Sequence, residues 1–270
     1  MFGSYRCVLV LFASVFAAAL LDGCTSPAGE SRWSRHLDGG VWGGALEQQV
    51  QRQDRLLPEA VLLATIPLGF AFDDDVRDFA LDQSISSAEE FTAAALQVVL
   101  PVIPVTMGIV DWKQGDEGRH LEVAVESLGS VVLVQQILAN TVNRDRPDHK
   151  ERTSFPSGHT SWAFAATTLI VRNLHDPSDT SFHAVDALMY APAIYGAYTR
   201  LVLDKHWASD IASGALLGVL LTNWIWDAHF RGDTETRPTV FADDHPRGMA
   251  WRPTVDAIEG GFALGVHVTF

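Results

Sequence analysis

From Pro58 onward, apolar runs of helical length alternate with short polar breaks. The first runs over residues 58–72 and closes on Asp73-Asp74-Asp75. The second covers 89–110, and its centre, from Phe91 to Val110, is twenty residues without a charge. That is the length of a bilayer crossing, with kinks expected at Pro101 and Pro104. The third runs from Leu121 to Asn143, with Glu122 and Glu126 four apart on one polar face. A fourth begins near Ser157, a fifth spans 184–200 and a sixth 207–228. The pattern predicts an all-α fold, a bundle of about six helices. Only the tail departs: Phe262, Leu264, Val266, Val268 and Phe270 alternate with a period of two, which predicts a strand, in a small hairpin or as a docked tail.

Ahead of the bundle, Arg6 precedes fourteen uncharged residues, Val8 to Leu21, the length of a signal-peptide core. Leu21-Asp22-Gly23-Cys24 resembles a bacterial lipobox, with Asp22 where a small or apolar residue is usual. This predicts lipidation of Cys24 and export to the periplasm on a lipid anchor. The alternative is an integral membrane protein, held by the 89–110 helix. The expected layout is a signal peptide over 1–24, a polar tether and short amphipathic helix over 25–56, a helical-bundle domain over 57–230 and a tail over 231–270. Both cysteines, Cys7 and Cys24, fall in the leader, so the body has no disulfide framework. The 270 residues carry a net charge of −14, which argues against a nucleic-acid partner. An anionic small molecule stays open, because a local cluster of arginines can dominate the field in a pocket.

Three motifs supply such a cluster: Asn143-Arg144-Asp145-Arg146-Pro147-Asp148, then Ser154-Phe155-Pro156-Ser157-Gly158-His159, then Thr199-Arg200 followed by His206 and Asp210. His206 and Asp210 are i and i+4 on a predicted helix, so they share a face. A carboxylate there can accept one imidazole N–H and leave the other nitrogen as a nucleophile. Ser157-Gly158 opens a helix whose free N–H groups and dipole suit a phosphate, and Gly158 permits close approach. His159, beside that phosphate, is placed to protonate a leaving oxygen. Arg146 and Arg200 offer bidentate forks to phosphate oxygens.

The three motifs, in this order and separation, resemble the signature of the type-2 phosphatidic acid phosphatase/vanadium haloperoxidase superfamily. The resemblance covers about residues 58 to 228 and is sharpest from Arg144 to Gly218. It implies the helical-bundle fold of the acid phosphatases and a phosphatase acting through a phosphohistidine without a metal. His206 would attack phosphorus, Asp210 would orient it, and His159 would protonate the leaving group. Arg146, Ser157, Gly158 and Arg200 would hold the phosphate. Implied substrates are phosphorylated small molecules or lipid phosphates and pyrophosphates, with the protein associated with a membrane. No cofactor is implied, although vanadate would fit the phosphate site. Two other functions remain open: a vanadium-dependent haloperoxidase, and a catalytically weak phosphate- or lipid-binding envelope protein. The chain departs from the signature at Ala139, where the family carries a lysine seven residues before its arginine, and mildly at Thr199, where serine is usual. One charged hydrogen bond, about 1.5–3 kcal/mol, is missing at Ala139; Arg144, Lys150 and Lys205 are the candidates to replace it. The triple aspartate 73–75 reads as a solvated helix end.

Overall fold

A computed structural model describes residues 39–51, 53–113, 118–175, 184–230, 250–258 and 261–269. Cys24, the leader, most of the tether and residues 231–249 of the tail lie outside the described residues.

Eight helices occur among the described residues: α1 Gly39–Gln51, α2 Gln53–Leu81, α3 Ser87–Lys113, α4 Arg119–Val142, α5 Gly158–Leu174, α6 Ala184–Met189, α7 Ala191–Val202 and α8 Ala208–Phe230. The fold is all-α, as the hydrophobic pattern predicts. The boundary at Asp73 is corrected: α2 runs on to Leu81, broken only by a non-helical Phe72 (φ −120°, ψ 16°). The expected fifth helix is two pieces, α6 and α7, which meet at Tyr190. Pro101 and Pro104 lie inside α3 and are buried. The chain closes in an antiparallel pair, β1 Ala250–Ile258 and β2 Gly261–Thr269, with Ala250 opposite Thr269.

α5 and α8 form the centre. They approach closely because glycines line the contact. A Cβ at Gly214 would stand 2.6 Å from the Ser157 carbonyl oxygen, and one at Gly218 would overlap the Ser161 carbonyl. Leu128, Val131, Phe164, Leu169, Val219 and Trp226 pack the core around this pair. Trp226 is 1% exposed and belongs to the core.

α4, α5, α7 and α8 bring the three motifs to one end of the bundle, at the C-termini of α4 and α7 and the N-termini of α5 and α8. α4 is 24 residues, about 36 Å long at 1.5 Å per residue. The α3–α4 connection is therefore at the far end, and Lys113 does not reach the motifs. That far end holds its own polar pairs, the buried Arg172 with Asp227 and the half-buried His229 with Glu126.

Three helices, α3, α4 and α8, are long and apolar enough to cross a membrane. α8 is largely enclosed by its neighbours. In α3 and α4 only a third of the apolar window is buried. Phe91, Val98 and Val102 of α3, with Leu133 and Ile137 of α4, are exposed apolar side chains.

Candidate active site

His206 is 4% exposed and sits in the short turn between α7 and α8. Its Nδ1 lies 2.9 Å from the Ser154 carbonyl oxygen. A carbonyl can only accept, so Nδ1 carries the proton, and in the neutral ring Nε2 keeps its lone pair. The sequence expectation that Asp210 accepts this N–H directly is corrected. Asp210 Oδ2 is 3.8 Å from Nδ1. The reason is that the carboxylate is already committed. Oδ2 accepts from the Ser154 hydroxyl at 2.5 Å and from the Trp207 amide at 2.9 Å, while Oδ1 accepts from Arg144 Nη1 at 2.8 Å. Asp210 therefore orients His206 through Ser154: it holds the side chain of the residue whose carbonyl holds the ring. Its bond to the Trp207 amide also caps the start of α8, three residues back along the chain.

α5 begins at Gly158 with Ser157 as its cap. Ser157 is fully buried, and its Oγ accepts from Thr160, from the amide at 3.5 Å and the hydroxyl at 3.0 Å. Its own amide donates to the Asp210 carbonyl at 3.0 Å, which ties the starts of α5 and α8 together. Ser157 thus builds the helix start, whose dipole points at the site. Gly158 admits a neighbour rather than open space: a Cβ there would sit 3.1 Å from the Gln135 side chain, whose Nε2 donates to the Pro156 carbonyl at 3.0 Å. Gln135 is one helical turn before Ala139, the position where the motif lysine is missing.

His159, Arg146, Arg200 and His206 face one another electrostatically. Burial first, then the nearby Arg200, His206 and Arg146, push the His159 imidazole down to about 3. The Nε of Arg146 is buried with no hydrogen-bond acceptor among the described residues. Its Nη1 pairs with Glu151 at 3.0 Å. Leaving a buried guanidinium N–H without an acceptor is costly, and an anion would satisfy it.

The proposed substitutes for the motif lysine are otherwise engaged. Lys205 Nζ donates to Asp148 at 2.8 Å, and Lys150 is largely solvated, 3.9 Å from the same carboxylate. Arg144, the third candidate, is tied up by its neighbours. It bonds Asp210, Ser209 and Asp73, and its guanidinium lies 4.9 Å from the Phe70 ring and 5.3 Å from that of Trp207.

Residues 123–233 match the family model described as the PAP2 superfamily. All three motifs, Asn143 to Asp210, lie within these residues, which are similar to that superfamily. A lipid A 1-phosphatase from Porphyromonas gingivalis is 30% identical over 178 residues, which are 64% of this chain. The chain spans 39% of the length of that curated relative. Among solved structures, the crystal structure of Aquifex aeolicus LpxE aligns with 56% of this chain and 92% of its own, at 16% identity and a TM-score of 0.39.

The helices bring His206, Asp210, His159, Arg146, Arg200, Ser157 and Gly158 to one end of the bundle. Sequence reasoning missed the part that four residues take in this geometry: Ser154, Gln135, Arg144 and Asp73. Asp73 is the plainest correction. It is 7% exposed, not solvated. It accepts from the Ser209 amide at 2.9 Å, the Ser209 hydroxyl at 2.7 Å and Arg144 Nη2 at 2.7 Å.

Proposed function

We propose that the chain is a phosphatase acting on lipid-borne phosphate, with His206 as its nucleophile. The observation that carries this reading is the meeting of two imidazoles and two guanidiniums at the N-terminus of α5, with the Nδ1 proton of His206 held by a carbonyl. In the first step Nε2 of His206 forms a bond to phosphorus as the bond to the leaving oxygen breaks. His159 supplies the proton that oxygen needs. In the second step water attacks phosphorus and gives a proton back to His159. The N–P bond then breaks, releasing inorganic phosphate and free His206. Arg146, Arg200 and the first amides of α5 neutralise the charge on the non-bridging oxygens. Burial is the larger cause of the depressed His159, but a bound phosphate offsets the share due to the arginines and so favours the protonated ring when substrate is present. No metal has a part in these steps.

Two further observations favour a lipid substrate. The motifs lie at one end of a bundle whose α3 and α4 expose apolar faces of membrane-crossing length, which suits a headgroup at the bilayer surface. The P. gingivalis relative is a lipid A 1-phosphatase, and a glycolipid 1-phosphate is the first substrate to try. Export, with lipidation at Cys24, completes the reading, and labelling with a fatty-acid probe in wild type and Cys24→Ala tests it.

The central test is phosphate release by the full chain in detergent micelles with EDTA present. Substrates are lipid A, phosphatidic acid, undecaprenyl pyrophosphate and p-nitrophenyl phosphate, with His206→Ala beside wild type. Release by wild type alone, inhibited by vanadate, is the expected result. Release only after a divalent metal is added, or undiminished release by His206→Ala, would refute the mechanism. Halide oxidation with vanadate and peroxide would favour the haloperoxidase alternative.

A further inference from the structure

The PAP2 match begins at residue 123, yet the turn that carries His206 is gripped from outside it. α2 presents Asp73 and Arg77, i and i+4, on one face. Asp73 takes the Ser209 amide and hydroxyl and Arg144, as described above. Arg77 donates to both carboxylate oxygens of Asp204, at 2.7 and 2.9 Å. Asp204 stands two residues before His206, and Ser209 three after it. One helical face thus holds the nucleophile's turn on both sides.

The grip is close at the backbone as well. A Cβ on Gly69 would lie 2.7 Å from Ser209 Cα and 2.8 Å from its nitrogen, so only glycine lets α2 lie against the start of α8. The amide of Ser209 belongs to the first turn of α8, where no intrahelical partner exists. Asp73 caps that amide from another helix, with its negative charge at the positive end of the dipole. The same carboxylate holds Arg144, whose other amino group reaches Ser209 and Asp210. A continuous chain therefore runs from Asp73 through Arg144 to Asp210, from Asp210 to the Ser154 hydroxyl, and from the Ser154 carbonyl to His206 Nδ1.

We infer that Asp73 is a positioning residue for the nucleophile: it fixes Arg144 and the first turn of α8, and through them the Asp210–Ser154–His206 chain. This rests on the phosphatase reading. Asp73 does not reach the substrate, so its removal changes the rate of attack and spares binding. Asp73→Asn keeps the shape and one acceptor, but turns an NH2 group toward the donors on Arg144 or Ser209. The loss of one to two charged hydrogen bonds, if felt in the transition state, slows attack by tenfold or more.

The experiment is single-turnover formation of phosphohistidine by the full chain in micelles, from radiolabelled lipid A and radiolabelled phosphatidic acid in separate arms. It compares wild type, His206→Ala, Asp73→Asn and Ser209→Ala, with steady-state KM measured in parallel. A single-turnover rate constant reports only folded molecules, so partial unfolding does not imitate the effect. Ser209→Ala keeps the backbone bond and serves as the milder variant. The expected result is a rate constant lowered at least tenfold in Asp73→Asn and several-fold in Ser209→Ala, with KM within twofold of wild type. The combined variant should lose less than the product of the two single losses. Rate constants within twofold of wild type, or a loss confined to KM, would overturn the inference while leaving the phosphatase reading intact. No phosphoenzyme in wild type, or one that survives His206→Ala, would overturn the reading and this inference with it.

Discussion

Replacing Glu151 by glutamine should make the enzyme bind phosphate better. Glu151 gives the site two contacts. Its backbone carbonyl accepts from the Arg146 amide at 2.9 Å, and its carboxylate pairs with Arg146 Nη1 at 3.0 Å. Glutamine keeps the backbone bond and the shape and removes only the charge. If Arg146 grips the substrate, the carboxylate is a built-in competitor that the phosphate must displace. The Glu151 side chain is 46% exposed and Arg146 21%, so solvent screening leaves the pair about 0.2–1 kcal/mol. That converts to a KM about 1.4- to 5-fold lower. The Ki for inorganic phosphate or vanadate should fall by the same factor, because it reports the same site without turnover. The kcat should change little, since the displaced group is absent from the bound state. The assay is steady-state hydrolysis of p-nitrophenyl phosphate with phosphate inhibition, for wild type and Glu151→Gln side by side. A KM and Ki that both stay fixed or both rise would refute the argument that Arg146 is a phosphate ligand held in check by Glu151.

Three further outcomes follow from the same geometry. His159 is held down to about 3, chiefly by burial, whereas in the unfolded chain it titrates near 6.5. The unfolded state then binds the extra proton between these values, so stability is full above pH 6.5 and falls as pH drops toward 3, by at most about 1.4 kcal/mol per pH unit. The melting temperature of wild type should fall more steeply than that of His159→Gln between pH 6.5 and 4.5. Gly69→Ala, forced against the Ser209 backbone, should destabilise by about 1–3 kcal/mol and slow turnover, seen in melting and kcat. At the far end, Arg172→Met strips the buried Asp227 of its partner and should cost about 3–5 kcal/mol, with kcat of the folded fraction unchanged.

The legible parts of this molecule are those whose logic is local. Helical periodicity exposes the bundle because each amphipathic run needs only its own face to be apolar. The pairing of His206 with Asp210 is visible because four residues make one turn, and the start of α5 because Pro-Ser-Gly can be little else. The corrections at the site come from contacts between distant segments. Three aspartates in a row look like a solvated end, since three adjacent carboxylates repel and are costly to bury. Yet successive helical residues point in different directions, and only Asp73 turns inward, where Arg144 and the Ser209 amide meet its charge. Arg144 itself reads as a candidate for the missing phosphate-binding cation until α2 supplies Asp73 and Phe70 beside it. The direct bond expected between Asp210 and His206 fails for a related reason: sequence spacing shows that two groups can meet, but not which third group, here Ser154, arrives first.

This division bears on the missing lysine. If the phosphate site depended on one cation per oxygen, Ala139 would be a serious loss. The structure shows instead that most of the charge near the motifs is spent on geometry. Arg144, Arg77 and Lys205 are all tied to carboxylates, and Arg146 shares its guanidinium with Glu151. A site built this way places its nucleophile firmly and holds its substrate with fewer free charges. It should therefore be limited by binding before it is limited by chemistry. Ala139 and Gln135 lie on one face of α4, and Gln135 already covers Gly158 and the Pro156 carbonyl. The amide provides a neutral wall where the family has a cation. The expected signature is a raised KM for small soluble phosphoesters with a kcat near that of the family. A lipid substrate, concentrated in two dimensions beside apolar α3 and α4, tolerates such a loss, because the membrane supplies affinity that the headgroup site does not.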